Sequence, residues 1–398
     1  MKTIKAFAVS LLLCALTLVG LHLWCGRGLS ADGKAGTWVS DAKSQSGSTL
    51  KKMAADENAL LIFGSSELRH GQGSGFHGDT IFDGADMDPI YVGKAGYQSL
   101  THAITLGAVG SQAANKKAVL IVSPQWFKEN GVKSTAFEAA FSEEEYIALL
   151  ENPDISQETK DYINSRLQNI MADNENMSER VKKAREWYQP KADNTAEQLG
   201  WLEQKKADFH KVLLEEKNNY KVMAEALMDG ISNDKSRESG AKLSQATWKQ
   251  LRKEAEAEGH KLSDGNDYGM FDSVYKGTYQ TLIANGKHKN PKYTLDSMEF
   301  SDLECFLSIC REEGIEPLVV ILPFNGYWYD YTELTAEERS AFYEKIRCIA
   351  EDYGVQCADL SGNEYTEYYF EDNSHPALKG LVDLNEAIYE FYRKDKTE

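Results

Sequence analysis

Five short, mostly apolar runs punctuate the chain, and glycine, serine, proline or asparagine follows each within a few residues. They lie at 59–63, 88–92, 118–122, 318–322 and 355–358. Segments with helical spacing of apolar residues separate them. Strands that alternate with helices form parallel sheets, so this pattern predicts an α/β protein with helices on both faces of its sheet. Ligands bind such sheets beyond the carboxyl ends of the strands, and the loops after these runs are therefore the expected walls of a site.

Two regions depart from this alternation. Residues 30–58 form a polar stretch, and from residue 137 to about residue 261 charged residues dominate and apolar ones recur at helical spacing. We interpret 137–261 as a helical insertion, with a capping box at 142–145 that opens one helix. An apolar stripe within it is expected to face the core. Its members are Leu199, Leu202, Phe209, Leu213 and Leu214.

The N-terminus carries a long apolar segment at 6–24. It is long enough to cross about 30 Å of hydrocarbon as a helix, which predicts a membrane span or a signal peptide. Residues 29–31 match a cleavage site poorly, so a retained anchor is favoured. Lys2 and Lys5 precede the span, which favours a cytoplasmic N-terminus and an exported remainder. We therefore expect a single-pass membrane anchor at 1–29 and an extracellular domain at 30–398.

The charge of the chain argues against one class of function. The 62 acidic and 44 basic residues give a net charge of −18, which argues against a nucleic-acid binder.

Outside the membrane segment four cysteines remain, in a region where a disulfide can persist. They are free thiols or form disulfides in any of three pairings, and the sequence does not choose. The four are Cys305, Cys310, Cys348 and Cys357.

Ser66 lies in the sharp Gly-Ser-Ser-Glu turn after the first apolar run. A serine held there, with backbone N–H groups beside it, is well placed to act as a nucleophile. Ser65 is interpreted as a supporting residue. The alternative is that the serine only caps a helix.

Asp372 and His375 form an Asp-x-x-His pair ahead of the last helical segment. His375 is expected to accept the proton of Ser66, and Asp372 to fix the imidazole tautomer. The alternative is capping, with Pro376 as the first residue of the final helix. The chain order is serine, then aspartate, then histidine, with each motif at a predicted strand-to-helix edge.

This architecture and residue order resemble the SGNH, or GDSL-like, hydrolase fold. Further motifs resemble the DltD family of teichoic-acid D-alanylation proteins over nearly the whole chain. They are GSSE at 64–67, GKAGYQS at 93–99, SPQWF at 123–127, PFNGYWYDYT at 323–332 and SHP at 374–376.

The resemblance implies a serine acyl site on the outer membrane face, acting beside a membrane-bound O-acyltransferase. Ser66, Asp372 and His375 match the family's catalytic triad. In the wider fold a glycine and an asparagine complete the oxyanion hole. Gly93 or Gly96 fits the first position, and Gln125 lies near the second. Asn325 and several aromatic residues are further candidates for substrate binding, although these rings are equally suited to covering the core. The aromatic residues are Trp126, Tyr327, Trp328, Tyr329 and Tyr331.

The remaining histidines give no sign of a metal. His70, His77 and His102 lie near the first two loops, but their spacing with Cys, Asp and Glu is not that of metal ligands. Structural or solvated roles are favoured for them. We expect no metal and no cofactor.

The sequence thus predicts an anchored serine acyltransferase that moves D-alanine from a D-alanyl donor to lipoteichoic acid or a related wall polymer. The residues supply only the acyl chemistry, and the resemblance supplies the substrate. One alternative is a thioesterase or carbohydrate esterase that uses water as acceptor. Another is a non-catalytic scaffold that binds the polymer or the acyltransferase.

Overall fold

A five-stranded parallel sheet forms the centre of the protein, as the sequence predicts. The computed structural model describes residues 2–394 except 32, 130, 190–199, 233–239, 287–289 and 291. The strands are β1 Ala59–Phe63, β2 Asp88–Val92, β3 Lys117–Val122, β4 Glu316–Ile321 and β5 Gln356–Asp359. Their order in the sheet is β2-β1-β3-β4-β5, and all neighbouring pairs are parallel.

Both faces of the sheet are buried. Leu61 and Phe63 belong to one apolar cluster, whereas Leu60 and Ile62 belong to a second cluster on the other face. Side chains alternate between the faces of a strand, so a strand covered on both sides needs apolar residues at successive positions. This explains why the sequence shows unbroken apolar runs.

Helices cover the two faces. Ser99–Val109 and Glu299–Glu312 contribute side chains to the first cluster, and Gln245–Leu262 and Lys379–Arg393 to the second. Trp248 is 1 % exposed within that second cluster. The helix Gln245–Leu262 therefore packs on the final helix Lys379–Arg393, which covers the sheet, although it lies at the end of the segment interpreted as an insertion.

The other helical elements lie before β1, in the connections between the strands and, in one case, after β5. The α-helices are Lys2–Cys25, Lys34–Thr37, Asp41–Ser44, Gly47–Ala54, Gly78–Ile81, Ser134–Ala140, Glu143–Glu151, Gln157–Ile170, Glu175–Tyr188, Trp201–Met228, Asp272–Val274, Gln280–Ala284, Gly326–Tyr331 and Ala336–Asp352. A π-helix spans Tyr275–Tyr279, and 3₁₀ turns span Ser66–Leu68, Gly110–Gln112, Pro124–Trp126 and Ser361–Asn363.

Two local predictions are wrong. The final helix begins at Lys379 rather than at Pro376, because Pro376 pairs with Phe370 in an antiparallel bridge and Leu378 has a φ of 45°. Ser142 does cap a helix, since its hydroxyl accepts from the N–H of Glu145. The carboxylate of Glu145, however, accepts from Thr105 Oγ1 at 2.7 Å instead of completing a capping box.

The polar stretch at 30–58 is also more ordered than the sequence suggests. It contains three short helices, and the hydroxyls of Ser40 and Ser46 cap two of them. Leu50 and Met53 are fully buried there. This stretch is therefore part of the packed core beside β1 and β2.

The expectation that the apolar stripe faces the core is wrong for most of its length. In the helix Trp201–Met228, which we call the long helix, Leu202 is 58 % exposed, Phe209 63 % and Leu213 50 %. Only Leu214 is half-buried against the core. Leu199 lies outside the described residues.

The N-terminal helix Lys2–Cys25 stands apart from the core. Its segment Ile4–Cys25 is, among the described residues, the one helix long and apolar enough to cross a membrane. Its apolar side chains are mostly exposed. Exposure of so many apolar side chains to water is unfavourable, whereas contact with lipid hydrocarbon is favourable. This helix is therefore suited to be a membrane anchor.

All six cysteines lie in described residues, and each is a free thiol. Cys305 and Cys310 are buried, and their burial raises the pKa of both thiols. The sequence left open whether these cysteines are free thiols or form disulfides, and in the structure they are free thiols.

A buried arginine ties together the loops that follow β4 and β5. The side chain of Arg339 is 0 % exposed and forms ion pairs with Glu364 at 2.9 Å and Asp330 at 2.8 Å. Its guanidinium also donates to the carbonyl of Leu334 and to the hydroxyl of Tyr365. Five donors in a fixed plane suit arginine to such a junction. Arg339 thereby stiffens the wall of the sheet's carboxyl edge.

Candidate active site

The carboxyl end of β1 lies at the point where the strand order of the sheet reverses. β1 stands between β2 and β3, so the chain leaves it toward one side and later returns on the other. Ligands of doubly wound sheets bind at such a point. Ser66 follows β1 there, at the start of the 3₁₀ turn Ser66–Leu68, and is only half-buried.

Ser66, His375 and Asp372 form one continuous hydrogen-bonded series. Ser66 Oγ lies 2.7 Å from His375 Nε2, and His375 Nδ1 lies 2.7 Å from Asp372 Oδ2. The serine and the histidine are 309 residues apart in the chain. The geometry is that of a nucleophile, a general base and a residue that orients the base.

The loop that carries Asp372 is held from two sides. Asp372 Oδ1 accepts hydrogen bonds from the N–H groups of Ser374 and His375, each at 2.8 Å. Asn325, at the cap of the helix that follows β4, donates from Nδ2 to the carbonyl of Asp372 at 3.1 Å. Asn325 is fully buried, so these bonds make it a support for the Asp372 loop. Its predicted contact with substrate stays a prediction.

The electrostatics of the pair favour a charged imidazole. Burial alone would lower the pKa of His375, but the hydrogen bond and the charge of Asp372 outweigh burial, so the pKa is raised. Burial would likewise raise the pKa of Asp372, yet its bonds to His375 and to two backbone N–H groups lower it. His375 can thus accept a proton while Asp372 remains ionised.

A second histidine–carboxylate pair lies beside the first. His70 stacks on His375 with ring centroids 3.7 Å apart and 12° between the planes. His70 Nδ1 lies 2.9 Å from Glu371 Oε2. Sequence reasoning assigned His70 a structural or solvated role and missed this pairing. The one available signal was Glu371, which directly precedes Asp372 in the sequence.

Glu67 is a buried carboxyl group next to Ser66 in the sequence. Its Oε1 accepts from the N–H of Ser65 at 2.5 Å, while Oε2 has no hydrogen-bond partner within the described chain. Burial raises its pKa, and the nearby imidazoles of His375 and His70 oppose that rise. Glu67 therefore places another acidic group near the imidazole of His375.

Both candidate oxyanion glycines have a positive φ that favours glycine, and Gly93 also lacks space for a Cβ. Gly93 has a φ of 129°, and a Cβ there would lie 1.9 Å from the carbonyl oxygen of Gly64. Gly96 has a φ of 94°. The N–H of Gly93 donates to Ser44 Oγ at 3.0 Å and that of Gly96 to Ser65 Oγ at 3.2 Å. An oxyanion role for either amide requires exchange of that bond and stays a prediction.

The other predicted site residues are placed around the strand ends. Gln125 is half-buried in the turn Pro124–Trp126. Trp126 and Trp328 are 3 % and 6 % exposed, and Tyr331 is half-buried against Trp328. The two tryptophans therefore cover the core, which is the alternative that the sequence allowed. Contact of these four residues with substrate remains a prediction.

An aromatic cluster supports the loop on its far side. The hydroxyl of Tyr279 donates to Asn373 Oδ1 at 2.7 Å, and its ring packs edge-on against Trp328 at 4.5 Å. Asn373 Nδ2 donates to the hydroxyl of Tyr329 at 3.2 Å. Trp328 and Tyr329 thus help to fix the residue next to Asp372.

The remaining histidines have structural positions. His77 caps the helix Gly78–Ile81 by accepting from the N–H of Asp79. His102 is fully buried, and burial lowers its pKa to about 3, so it is neutral. Among the described residues, no group of three or more His, Cys, Asp or Glu side chains is arranged to hold a metal ion.

Comparison with known proteins identifies the family. Residues 36–393 match the family described as DltD protein. The chain is 32 % identical to protein DltD of Bacillus subtilis over 349 residues, which cover 87 % of this chain and 85 % of that protein. It is 26 % identical to protein DltD of Staphylococcus aureus over 82 % of this chain and 79 % of that protein. With protein DltD of Lacticaseibacillus rhamnosus the identity is 25 %, over 97 % and 89 % of the two chains. The chain therefore belongs to the DltD family, the family of teichoic-acid D-alanylation proteins that its motifs resemble.

Proposed function

We propose that the chain is a serine acyltransferase that places D-alanine on hydroxyl groups of lipoteichoic acid or a related wall polymer. The observation that carries the proposal is the 2.7 Å contact between Ser66 Oγ and His375 Nε2, continued by the 2.7 Å contact from Nδ1 to Asp372. Family membership supplies the D-alanyl group and the polymer.

The chemistry proceeds in two half-reactions. Ser66 Oγ attacks the carbonyl carbon of the D-alanyl donor, and His375 Nε2 takes the hydroxyl proton. The donor's leaving group departs with that proton, which leaves a D-alanyl ester on Ser66. His375 then takes the proton of the polymer hydroxyl, whose oxygen attacks the ester. Ser66 recovers its proton as the polymer ester forms.

Charge on the carbonyl oxygen must be stabilised during each attack. The donors proposed for this are the N–H of Ser66 with that of Gly93 or Gly96, and the side chain of Gln125. Removal of one oxyanion donor commonly costs about 10²–10³ in rate. Gln125→Ala is expected to be milder than loss of the nucleophile, because backbone donors remain.

The proposed setting is the outer face of the cell membrane. Residues 1–29 form the anchor, with Lys2 and Lys5 in the cytoplasm, and residues 30–398 form the extracellular domain, with a helical insertion at 137–261. A membrane-bound O-acyltransferase of the same pathway is the proposed partner. Protease added to intact cells should digest most of the chain. Digestion only after lysis would contradict this orientation.

The test of the function uses bacteria whose own family member has been deleted. Cells that carry only Ser66→Ala or His375→Ala should lose most ester-linked D-alanine from their wall polymers, at normal protein levels. Ser111→Ala is the matched control, because Ser111 is exposed in a turn after the helix Ser99–Val109. Wild-type ester levels in well-expressed Ser66→Ala cells would refute the catalytic role and favour a scaffold.

A second experiment separates transfer from hydrolysis. Purified full-length protein is mixed with a D-alanyl thioester, quenched and mapped by mass spectrometry. An adduct of D-alanine on Ser66 supports either enzyme, whereas a scaffold gives none. Subsequent addition of polymer should move the D-alanine to the polymer. Release of free D-alanine alone would indicate an esterase or thioesterase.

A further inference from the structure

The long helix Trp201–Met228 presents an apolar face that the rest of the described chain leaves uncovered. Leu202, Phe209, Leu213 and Leu227 are 58 %, 63 %, 50 % and 70 % exposed. At about 100° of rotation per residue, these four side chains fall within an arc of about 40°. We call them the apolar face. Four large side chains in line on one helix face are more than scattered surface hydrophobics and indicate an interaction site.

The opposite side of the same helix is packed against the protein. Ala207, Val222 and Ala226 are each at most 1 % exposed. The helix is therefore held in a fixed orientation, with its small side chains inward and the apolar face outward. A helix that was merely solvated would carry polar side chains on the outward side.

The N-terminal helix meets the long helix on its outward side. His22 Nδ1 lies 2.6 Å from Glu216 Oε1. Glu216 is one turn after Leu213 and falls within an arc of about 60° that also holds the apolar face. His22 lies three residues before the end of the N-terminal helix at Cys25. The emerging end of the membrane span therefore meets the long helix on the side that carries the apolar face, next to Leu213.

The contact between the two helices locates Glu216 relative to the bilayer. A helix of 24 residues extends about 36 Å, slightly more than the hydrocarbon thickness of about 30 Å, so its last turn reaches the outer interface. Glu216 contacts that last turn. At Glu216 the long helix is consequently at the height of the lipid headgroups.

We propose that the apolar face lies in the outer interface of the lipid bilayer beside the N-terminal helix, with Leu202, Phe209 and Leu213 among the acyl-chain ends. Interfacial helices bury their apolar side by about 5–10 Å. Lys217 is exposed and flanks this face, so its stem can lie along the apolar surface while its ammonium group reaches lipid phosphate. Lys205 and Lys206 also flank the face and form exposed ion pairs with Asp208 and Glu203.

Apolar contact rather than charge holds this face to the membrane. The chain has a net charge of −18, which opposes general attraction to an anionic lipid surface. The covalent link to the span keeps the face at high local concentration near the bilayer, so weak lipid contact is sufficient. The interfacial depth should therefore depend little on the fraction of anionic lipid.

The inference rests on retention of the N-terminal helix in the membrane and does not depend on the chemistry of Ser66. Its test uses the full chain in vesicles of phosphatidylcholine with 0 or about 30 % phosphatidylglycerol. Cys14, Cys348 and Cys357 are replaced by alanine. Cys25, Cys305 and Cys310 stay in place because they are buried, so Phe209→Cys or Leu213→Cys supplies the accessible thiol for the spin label. The control is Lys249→Cys, an exposed position on the helix Gln245–Leu262.

Collision of the label with oxygen, which concentrates in lipid, is compared with collision of a water-soluble nickel chelate. Labels at 209 and 213 should be several-fold more accessible to oxygen than to nickel, in both lipid mixtures, and the label at 249 should show the reverse. Nickel accessibility at 209 and 213 equal to that at 249 would overturn the proposal. Protection seen only in native membranes, and not in these vesicles, would also overturn it and assign the face to a protein partner.

Circular dichroism and the rate of Ser66 labelling by a fluorophosphonate check that each variant is folded. Both positions are exposed, so neither label is expected to disturb packing. If Phe209→Cys nonetheless fails to fold, Leu213→Cys reports on the same face. A Ser66 that does not react would leave the depth measurement valid, because the fold is then judged by circular dichroism and thermal unfolding.

Discussion

The substitution Asp372→Asn tests the electrostatic logic of the site with little disturbance of its shape. Asparagine keeps the oxygen that accepts the N–H groups of Ser374 and His375 at 2.8 Å. Its amide nitrogen then faces His375 Nδ1, which must become an acceptor. The ring proton moves to Nε2. Nε2 then points an N–H at Ser66 and can no longer accept the serine's proton. The variant therefore inverts the tautomer that the nucleophile needs.

The expected loss follows from two effects. At about 4 Å and an effective dielectric constant of about 20, the charge of Asp372 stabilises the imidazolium of His375 by about 4 kcal/mol. That corresponds to about 10³ in rate. Inversion of the tautomer brings the total to about 10⁴, the size found when a triad aspartate becomes asparagine. We therefore expect Ser66 to react about 10³–10⁴ times more slowly.

The assay is the rate of covalent labelling of Ser66 by a fluorophosphonate, followed by intact mass. Asp154→Asn serves as control, because Asp154 is exposed and lies outside the site. It should react at the wild-type rate. Thermal unfolding of Asp372→Asn should show a folded protein. A folded Asp372→Asn that reacts within tenfold of the wild type would refute the assignment of Asp372 as the orienting residue.

Three further outcomes are expected. Since His375 must be neutral to accept a proton and its pKa is raised, labelling should increase with pH through a midpoint above the ordinary histidine value of about 6.5. Glu371→Gln should lower that midpoint, and an unchanged midpoint would exclude a charge effect of Glu371. Arg339→Met should cost about 3 kcal/mol in urea unfolding, because it leaves the largely buried carboxylate of Glu364 without its ion pair, whereas Arg347→Met at a partly exposed pair should cost less than about 1 kcal/mol. Gly93→Ala should lower thermal stability by at least about 1–3 kcal/mol, since its φ is 129° and its Cβ meets a backbone carbonyl, and a stable variant would contradict that geometry.

The sheet and the three central side chains of the site were predictable because local sequence determines both. Residues of β1 are apolar at successive positions, and the Gly-Ser-Ser turn that ends it leaves little freedom for Ser66. Parallel strands bring such turns to one edge. Asp372 and His375 are three residues apart, so their mutual contact is also a local property.

What sequence reasoning missed depends on contacts between distant segments. The stacking of His70 on His375 joins residues far apart in the chain, and neither residue's neighbours reveal it. The start of the final helix depends on the bridge between Phe370 and Pro376. The apolar face of the long helix has the periodicity of a core-facing stripe. Periodicity shows that a face needs cover, but it does not distinguish protein from lipid as the cover.

The separation of 309 residues between Ser66 and His375 has a consequence for biogenesis. In the orientation that we propose, the residues just after the anchor reach the outer side first, and His375 follows only near the end of translocation. Until then Ser66 has no imidazole beside it to accept its proton. Contacts between such distant segments form late in folding. The proposed nucleophile Ser66 therefore gains its base only when the C-terminal segment has docked.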